Sequence, residues 1–529
     1  MPRDNQQSQG FRDFDHAEIV DQALLKAWVI RGCLTNSVLN HLVGNSVASD
    51  LGRKNVAAIC SYLGIASQQK AASSWAAELT KMLDTTSSNI DLSKGQLFAN
   101  LALLGNCIGL SVADQHVLAF RIMFRLFEPL RCVMELYDQW TDIALERRLT
   151  TILNQPESAI EIALSPEGVL RKSGLVRYSL HIVGTLEEKI ALPAGLINAL
   201  IRPHKTLKSL MRFVMSPAKN GHLSVSDYPH LFKEISLTTS YLKAMSANRT
   251  SGIHVLLHGP PGTGKTELVK AICKDAGWSL YDIQGRSEDD PGSYSRLQSL
   301  ITAQHILAKS RKSAILFDEF EDVISTRNNL EDGTAPSKQF MNGLLEKAAV
   351  PTFWVTNHPN RLDPAYIRRF DVIIAVDVPP RSIRRQLLSR ACEGMLKSGD
   401  WLDRNSAIPE LSPALIERFS KVARKLSNQD QNGFFSSFDL LRDQYFKANG
   451  KVPQGIEVRP ILSYDLGAVN VSSNWGDLAA RLTETGSGRL LFHGPPGTGK
   501  SAFAKALADA IDRPLRPAQA SDLLMPHQG

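Results

Sequence analysis

Two copies of one eight-residue pattern, GPPGTGKT at 259–266 and GPPGTGKS at 494–501, constrain this chain more than any other feature. The pattern GxxxxGK[ST] builds a loop whose backbone N–H groups converge on phosphate oxygens. That convergence needs dihedrals and close approaches that a Cβ obstructs. Gly259, Gly262 and Gly264 meet the requirement, and Pro260, Pro261 and Thr263 complete the loop. Lys265 can reach the β- and γ-phosphates as a point charge, and Thr266 offers a hydroxyl to Mg²⁺. A helix from about 265 to 276 aims its positive end at the anion, with Gly277 placed to end it. The second copy repeats the set with Gly494, Pro495, Pro496, Gly497, Thr498, Gly499, Lys500 and Ser501. Nucleotide binding is the first expectation, and an α/β P-loop NTPase domain is the fold that carries such a loop.

The rest of the chain organises around these loops. At 529 residues it exceeds the size at which one hydrophobic core stops growing, so several units of about 100 to 150 residues are expected. Hydrophobic residues at 43% and charged residues at 21% exclude a disordered chain. Ile19, Ala23, Leu24 and Ala27 recur at helical spacing, so 1–150 reads as a mainly helical N-terminal domain. In 151–225, Ile160, Ile162 and Leu164 alternate with polar or small residues, as do Tyr178, Leu180 and Ile182. That pattern predicts short strands in a small mixed α/β or helical unit. Within 226–380 the runs IHVLLH, SLYDI, AILFDE, TFWVTN and VIIAVDV are separated by helical stretches, the signature of a parallel sheet with crossover helices. Pro379 and Pro380 break the pattern, and 381–450 reads as a helical lid with Leu387, Leu388 and Ala391 on one face. A polar linker rich in Pro and Gly leads to a further strand, RLLFH at 489–493, so 451–529 reads as an incomplete second P-loop module.

Hydrolysis needs more than a loop. In AILFDEFED, Asp318 ends an apolar strand where its carboxylate can join a Mg²⁺ shell, and Glu319 beside it can orient and polarise water. Adjacent acids at a strand end can also simply face solvent. Asn357 closes TFWVTN with an amide suited to a lytic water or a γ-phosphate, although asparagine there is also a common turn former. Arg368 and Arg369 fall late on a short helix begun by Asp363 and Pro364, which would lift both guanidiniums off the domain edge. A surface ion pair fits the same spacing.

In this order, GPPGTGKT, DE, TN and DPA..RRFD, the chain resembles the AAA+ ATPase superfamily, nearest its AAA clade, over about 226 to 450. The resemblance implies a five-stranded nucleotide domain with a helical lid, assembled as a homo-oligomeric ring with ATP at the subunit boundaries. It gives Lys265 and Thr266 the phosphate-loop roles, Asp318 and Glu319 the Walker B roles, and Asn357 the first sensor role. Arg368 or Arg369 becomes the finger supplied to a neighbour's ATP. Asp227 and Tyr228, in DYPHL, fall where such proteins contact adenine. The long helical N-terminal half and the second loop resemble large bacterial proteins with two AAA modules in tandem.

Three departures shape the functional expectation. DIQGRSEDDPGSYSRL lacks the aromatic–hydrophobic–glycine triplet of threading relatives. Lys265 and Asp318 are 53 positions apart, whereas 29 residues follow Lys500, too few for a second Walker B strand. The tail ASDLLMPHQG follows the family up to SDLL and then diverges, so truncation within the second module is expected. The leading reading is an ATPase, using ATP and Mg²⁺, that remodels an unknown protein partner. An ATP-switched DNA-binding factor, prompted by the net charge of +7, and a nucleotide-binding remnant without turnover are the alternatives. Scattered cysteines and a polar start with three aspartates point to a cytoplasmic setting, and no run approaches the roughly 20 apolar residues of a membrane span.

Overall fold

The computed structural model describes residues 16–43, 50–65, 71–137, 140–179, 185–193, 195–248, 252–283, 293–324, 338–393, 399–426, 431–450, 474–513 and 515. They divide into two compact units. One contains Met1–Lys219, Met245–His254 and Trp278–Thr352, and the other Asn220–Ala244, Val255–Gly277 and Phe353–Gly529. Among the described residues eight strands form: β1 (Arg177–Tyr178), β2 (Ile190–Ala191), β3 (Met215–Pro217), β4 (His254–His258), β5 (Ser279–Ile283), β6 (Ser313–Phe317), β7 (Thr352–Thr356) and β8 (Val372–Ala375). β3, β5 and β6 lie in the first unit and β8 in the second, and β4 to β8 fall on the five apolar runs picked out by the sequence. The functional helices are α1 (Lys265–Ala276), α2 (Ser293–Leu307), α3 (Pro364–Ile367), α4 (Arg381–Ala391), α5 (Gly399–Ser406), α6 (Pro413–Leu426), α7 (Gln431–Ala448) and α8 (Lys500–Ala510).

The first unit begins as the expected helical bundle. Ile19, Leu24 and Ala27 are buried, and Trp28 packs edge-on against Phe120 at 5.7 Å between centroids. Further along, the alternation at 160–164 does not make a strand. Residues Glu157–Leu164 form a helix that buries Ile160, Ala163 and Leu164 and leaves Ile162 65% exposed. Positions 160 and 164 are also i and i+4, so the same residues satisfy either period, and Pro156 at the N-cap opens a helix there. Tyr178 does enter a strand, the two-residue β1, antiparallel to β2, while Leu180 and Ile182 lie outside the described residues. The Asp142 carboxylate pins this hairpin by accepting from Tyr178 Oη at 2.9 Å and Lys189 Nζ at 2.6 Å, so the buried ammonium is not left unpaired. In the same unit β3 runs antiparallel to β5, and β5 runs parallel to β6 with Asp282 opposite Leu316.

In the second unit β4 pairs in parallel with β8, from Val255 opposite Val372 to His258 opposite Ala375. After Pro379 and Pro380, α4 to α7 make the expected lid. Its core gathers Leu388, Trp401, Phe419, Phe434 and Phe438, with Trp401 and Phe438 centroids 5.1 Å apart. Burial makes unpaired polar atoms costly, and the lid's are paired. Trp401 Nε1–H donates to Asp439 at 3.2 Å, and Arg442 donates to the same carboxylate at 2.7 Å. RLLFH at 489–493 departs from expectation. It forms no strand, and Leu491 is 88% exposed. A strand needs a neighbour's hydrogen-bonding edge, and none pairs with it among the described residues. No described helix is long and apolar enough to cross a membrane.

Phe434 is wholly buried at the lid's centre. Phe434→Ala is expected to destabilise the lid by about 3–5 kcal/mol. Hydrogen exchange should show amide protection lost across α4 to α7 before α1 is affected.

Candidate nucleotide site

The phosphate loop lies within the second unit. The His258 carbonyl at the end of β4 accepts the Val376 N–H at 2.7 Å, so strand pairing continues to the loop's mouth. Gly259, with φ 147°, follows at once, and a Cβ there would stand 2.2 Å from the Val376 carbonyl oxygen. Gly264, with φ 90°, caps α1, and a Cβ there would stand 2.8 Å from the Tyr228 hydroxyl. Between them the Gly262 carbonyl accepts the Ala414 N–H of α6 at 3.1 Å. The loop is therefore held on three sides, by β8, by the lid and by the segment before β4.

Lys265 is buried, and its Nζ donates to the carbonyls of Gly259 and Pro260 at 2.9 and 2.8 Å. Thr263 Oγ1 donates to Pro260 O at 3.0 Å, and Thr266 is half-buried in the first turn of α1, which ends at Gly277 as expected. A gathered ammonium, a glycine cradle that a Cβ would fill and an amino-terminal helix turn fit a polyphosphate.

Asp227 and Tyr228 flank this cradle. The Tyr228 hydroxyl donates to the Gly264 carbonyl at 3.0 Å. Burial, and then the charges of Glu267 and Asp227, push the phenol well above its ordinary range, so it remains a donor. Burial works to raise the Asp227 carboxyl. Arg390 of α4, at 2.7 Å, and the N–H and hydroxyl of Ser224, each at 2.9 Å, outweigh it and hold the carboxyl below its usual range. A lid residue thus grips the segment that grips the loop.

The acidic turn belongs to the first unit. Every residue of β6 is buried, and beyond it Asp318 is half-buried and Glu319 exposed. Phe317 and Phe320, both fully buried, meet edge-on at 6.3 Å and leave the two acids projecting between them. To make this turn, Glu319 takes φ 53°, a left-handed conformation costing roughly 1–2 kcal/mol for an L-residue. Its N–H donates to Asp318 Oδ1 at 2.9 Å. Sequence reasoning missed Arg296 of α2, whose Nη2 donates to the Asp318 carbonyl at 2.5 Å and whose guanidinium lies 4.5 Å from the Phe317 ring centre. An arginine beside Leu297 and Leu300, on the buried side of a helix, was the available signal.

Back in the second unit, Asn357 is half-buried one residue beyond β7. Asp363 caps α3 by accepting the Ala365 N–H at 2.9 Å. The two arginines after it differ from the expectation that both stand off the edge. Arg368 is exposed, whereas Arg369 turns back and donates to the Ala365 carbonyl at 2.5 Å. The cause is the open carbonyl at the end of a four-residue helix, which a guanidinium four positions on can reach.

The second loop repeats the local form of the first. Gly494, Gly497 and Gly499 have φ of 148°, 83° and 83°, and Lys500 Nζ donates to Gly494 O and Pro495 O at 2.8 and 2.6 Å. Its surroundings differ. Lys500 is half-buried, and the nearest atom to a Cβ on Gly494 is Thr498 Oγ1 at 3.4 Å. Just after α8, the Asp512 carboxylate accepts the Ser382 N–H at 3.3 Å and the Ser382 hydroxyl, capping α4, whose own N-cap Pro380 offers no side-chain bond.

Strand, glycine loop and helix together define a P-loop nucleotide-binding protein. Residues 255–378 and 490–529 match the sequence model of the ATPase family associated with various cellular activities (AAA). The chain is 32% identical over 197 residues to the ATP-dependent zinc metalloprotease FtsH of Mesoplasma florum, covering 35% of this chain and 30% of that protein. The chain thus spans under a third of that relative's length. Among solved structures, the FIGL-1 AAA domain in complex with ADP aligns with 18% identity and a TM-score of 0.34, covering 45% of this chain and 91% of that one. A katanin structure on self-assembly aligns with 18% identity and 0.33, covering 45% and 92%.

The two loops permit a paired test. Gly259→Ala must displace the Val376 carbonyl and is expected to cost about 1–3 kcal/mol more than Gly494→Ala, which shares the unfavourable φ but meets no backbone. Denaturant unfolding of both variants measures the difference.

Proposed function

We propose that the first module hydrolyses ATP with Mg²⁺ and uses the energy to remodel a protein partner through the helical N-terminal region. The observation that carries the reading is the loop at 259–266, formed and braced on three sides, with its lysine gathered over the cradle. In this reading the loop's N–H groups and Lys265 bind the β- and γ-phosphates. Thr266 and Asp318 would hold Mg²⁺, which when bound would supply positive charge beside the phosphate oxygens. Glu319 orients the attacking water, and the Asn357 amide holds that water or the γ-phosphate. Asp227 and Tyr228 set the wall of the base pocket.

Ring assembly of several copies completes the site. Arg368 is the better candidate for a finger donated to a neighbour, because it is exposed while Arg369 is turned onto its own helix. The second loop is read as a weaker nucleotide site, having the local cradle while, among the described residues, no backbone closes on Gly494 as the Val376 carbonyl closes on Gly259.

Glu319→Gln is expected to retain ATP binding and lower turnover about 100-fold or more. Binding of a fluorescent nucleotide and phosphate release measure the two, and unaltered turnover would remove Glu319 from the mechanism. Specific activity of the unaltered protein should rise steeply with its concentration, and Arg368→Ala should flatten that rise. A concentration-independent rate contradicts a finger supplied in trans.

A further inference from the structure

The turn that carries Asp318 and Glu319 is strained, and its brace comes from another element. Glu319 sits at φ 53°, a region that L-residues occupy only when their surroundings over-determine it. Phe317 and Phe320 anchor the two ends of the turn in the core. The backbone between them is held by Arg296, the fourth residue of α2. Its Nη2 donates to the Asp318 carbonyl at 2.5 Å, the acceptor of the peptide that joins the two acids. Its guanidinium carbon lies 4.5 Å from the Phe317 ring centre, where a planar cation can rest on the aromatic face and still donate from its edge.

The charges around Arg296 come from three elements. Asp282 belongs to β5, Asp318 and Glu319 follow β6, and Asp322 lies in the short helix Glu321–Ile324. Burial weakens the guanidinium's hold on its proton, and these four carboxylates, Glu319 foremost, strengthen it. A structural arginine facing four acids would ordinarily pair with one of them side chain to side chain. This one donates to the backbone of the turn, and among the described residues its buried Nε–H meets no hydrogen-bond acceptor.

We propose that Arg296 is the positioning residue of the acidic turn: by holding the Asp318 carbonyl and the Phe317 ring it fixes the left-handed Glu319 backbone and so aims the Glu319 carboxylate. The inference rests on the reading of Glu319 as the group that orients water. Arg296 acts through the peptide between the two acids, and its charge offsets their mutual repulsion.

Arg296→Met keeps an apolar stem over Phe317 but removes the donor and the charge. In the full chain it should lower kcat about tenfold or more while KM for ATP and the affinity for a fluorescent nucleotide stay within about threefold. Arg296→Lys, which can reach the same carbonyl, should recover kcat to within about fivefold of the unaltered protein. In a Glu319→Gln background, Arg296→Met should add little further loss, because a residue that acts through Glu319 has nothing left to position. Thermal melts identify variants that fail to fold, and Arg296→Gln then takes the place of the methionine. A kcat within twofold for the folded methionine or glutamine variant overturns the proposal, as does a loss that adds in full to that of Glu319→Gln. If Glu319→Gln itself turns over normally, the proposed function falls as well, which separates the two failures.

Discussion

A backbone squeezed between two neighbours governs the nucleotide site. Gly259 must turn with φ 147° at a point where the Val376 carbonyl already occupies the place of a Cβ. The β4–β8 ladder therefore fixes where the loop can begin, since any side chain at 259 would push the strands apart. From there Gly262 meets α6 and Gly264 meets Tyr228, so the loop is positioned by three elements brought together by the second unit's fold. Preorganisation of this kind matters because the loop binds with fixed backbone dipoles, which need no rearrangement when the phosphate arrives.

Contacts onto the lid are of two strengths. The lid's aromatic core and its buried Trp401–Asp439–Arg442 network hold α4 to α7 together as one body. Its grip on the site is lighter, through the Ala414–Gly262 hydrogen bond and the Arg390–Asp227 pair, whose arginine is largely exposed and which contributes about 1 kcal/mol or less. The start of α4 is held differently. Its Ser382 N–H and hydroxyl are capped by Asp512, just beyond the second phosphate-loop helix, so a segment 130 residues away completes a helix that its own sequence leaves uncapped.

The sequence made much of this legible where one residue type has one physical use. Five apolar runs became β4 to β8, and the glycines marked the loop, because burial and positive φ leave few alternatives. It misled where one pattern serves two structures. Ile160, Ile162 and Leu164 fit a strand, but Ile160 and Leu164 also fit one helix face, and burial chose the helix. RLLFH reads as a strand, yet strand formation depends on a partner edge that no local pattern can specify. Arg296 was invisible for a related reason. Its significance lies in what α2 places beside it, the Asp318 carbonyl and the Phe317 ring, 22 and 21 positions away.

The two loops separate local from tertiary determination. Eight residues nearly identical in the two copies produce the same glycine dihedrals to within about 10°, and the same lysine folded onto the same two carbonyls, in very different surroundings. The shape of a phosphate cradle is therefore written in its own sequence, because glycine freedom and one lysine's reach are short-range properties. Tertiary structure decides whether that cradle is braced. At 259–266 a strand carbonyl, a lid helix and a buried tyrosine close around it. At 494–501, the Gly494 position meets no backbone among the described residues, and Leu491 just before the loop is exposed. Bracing requires atoms distant in sequence, and only the fold brings them within reach.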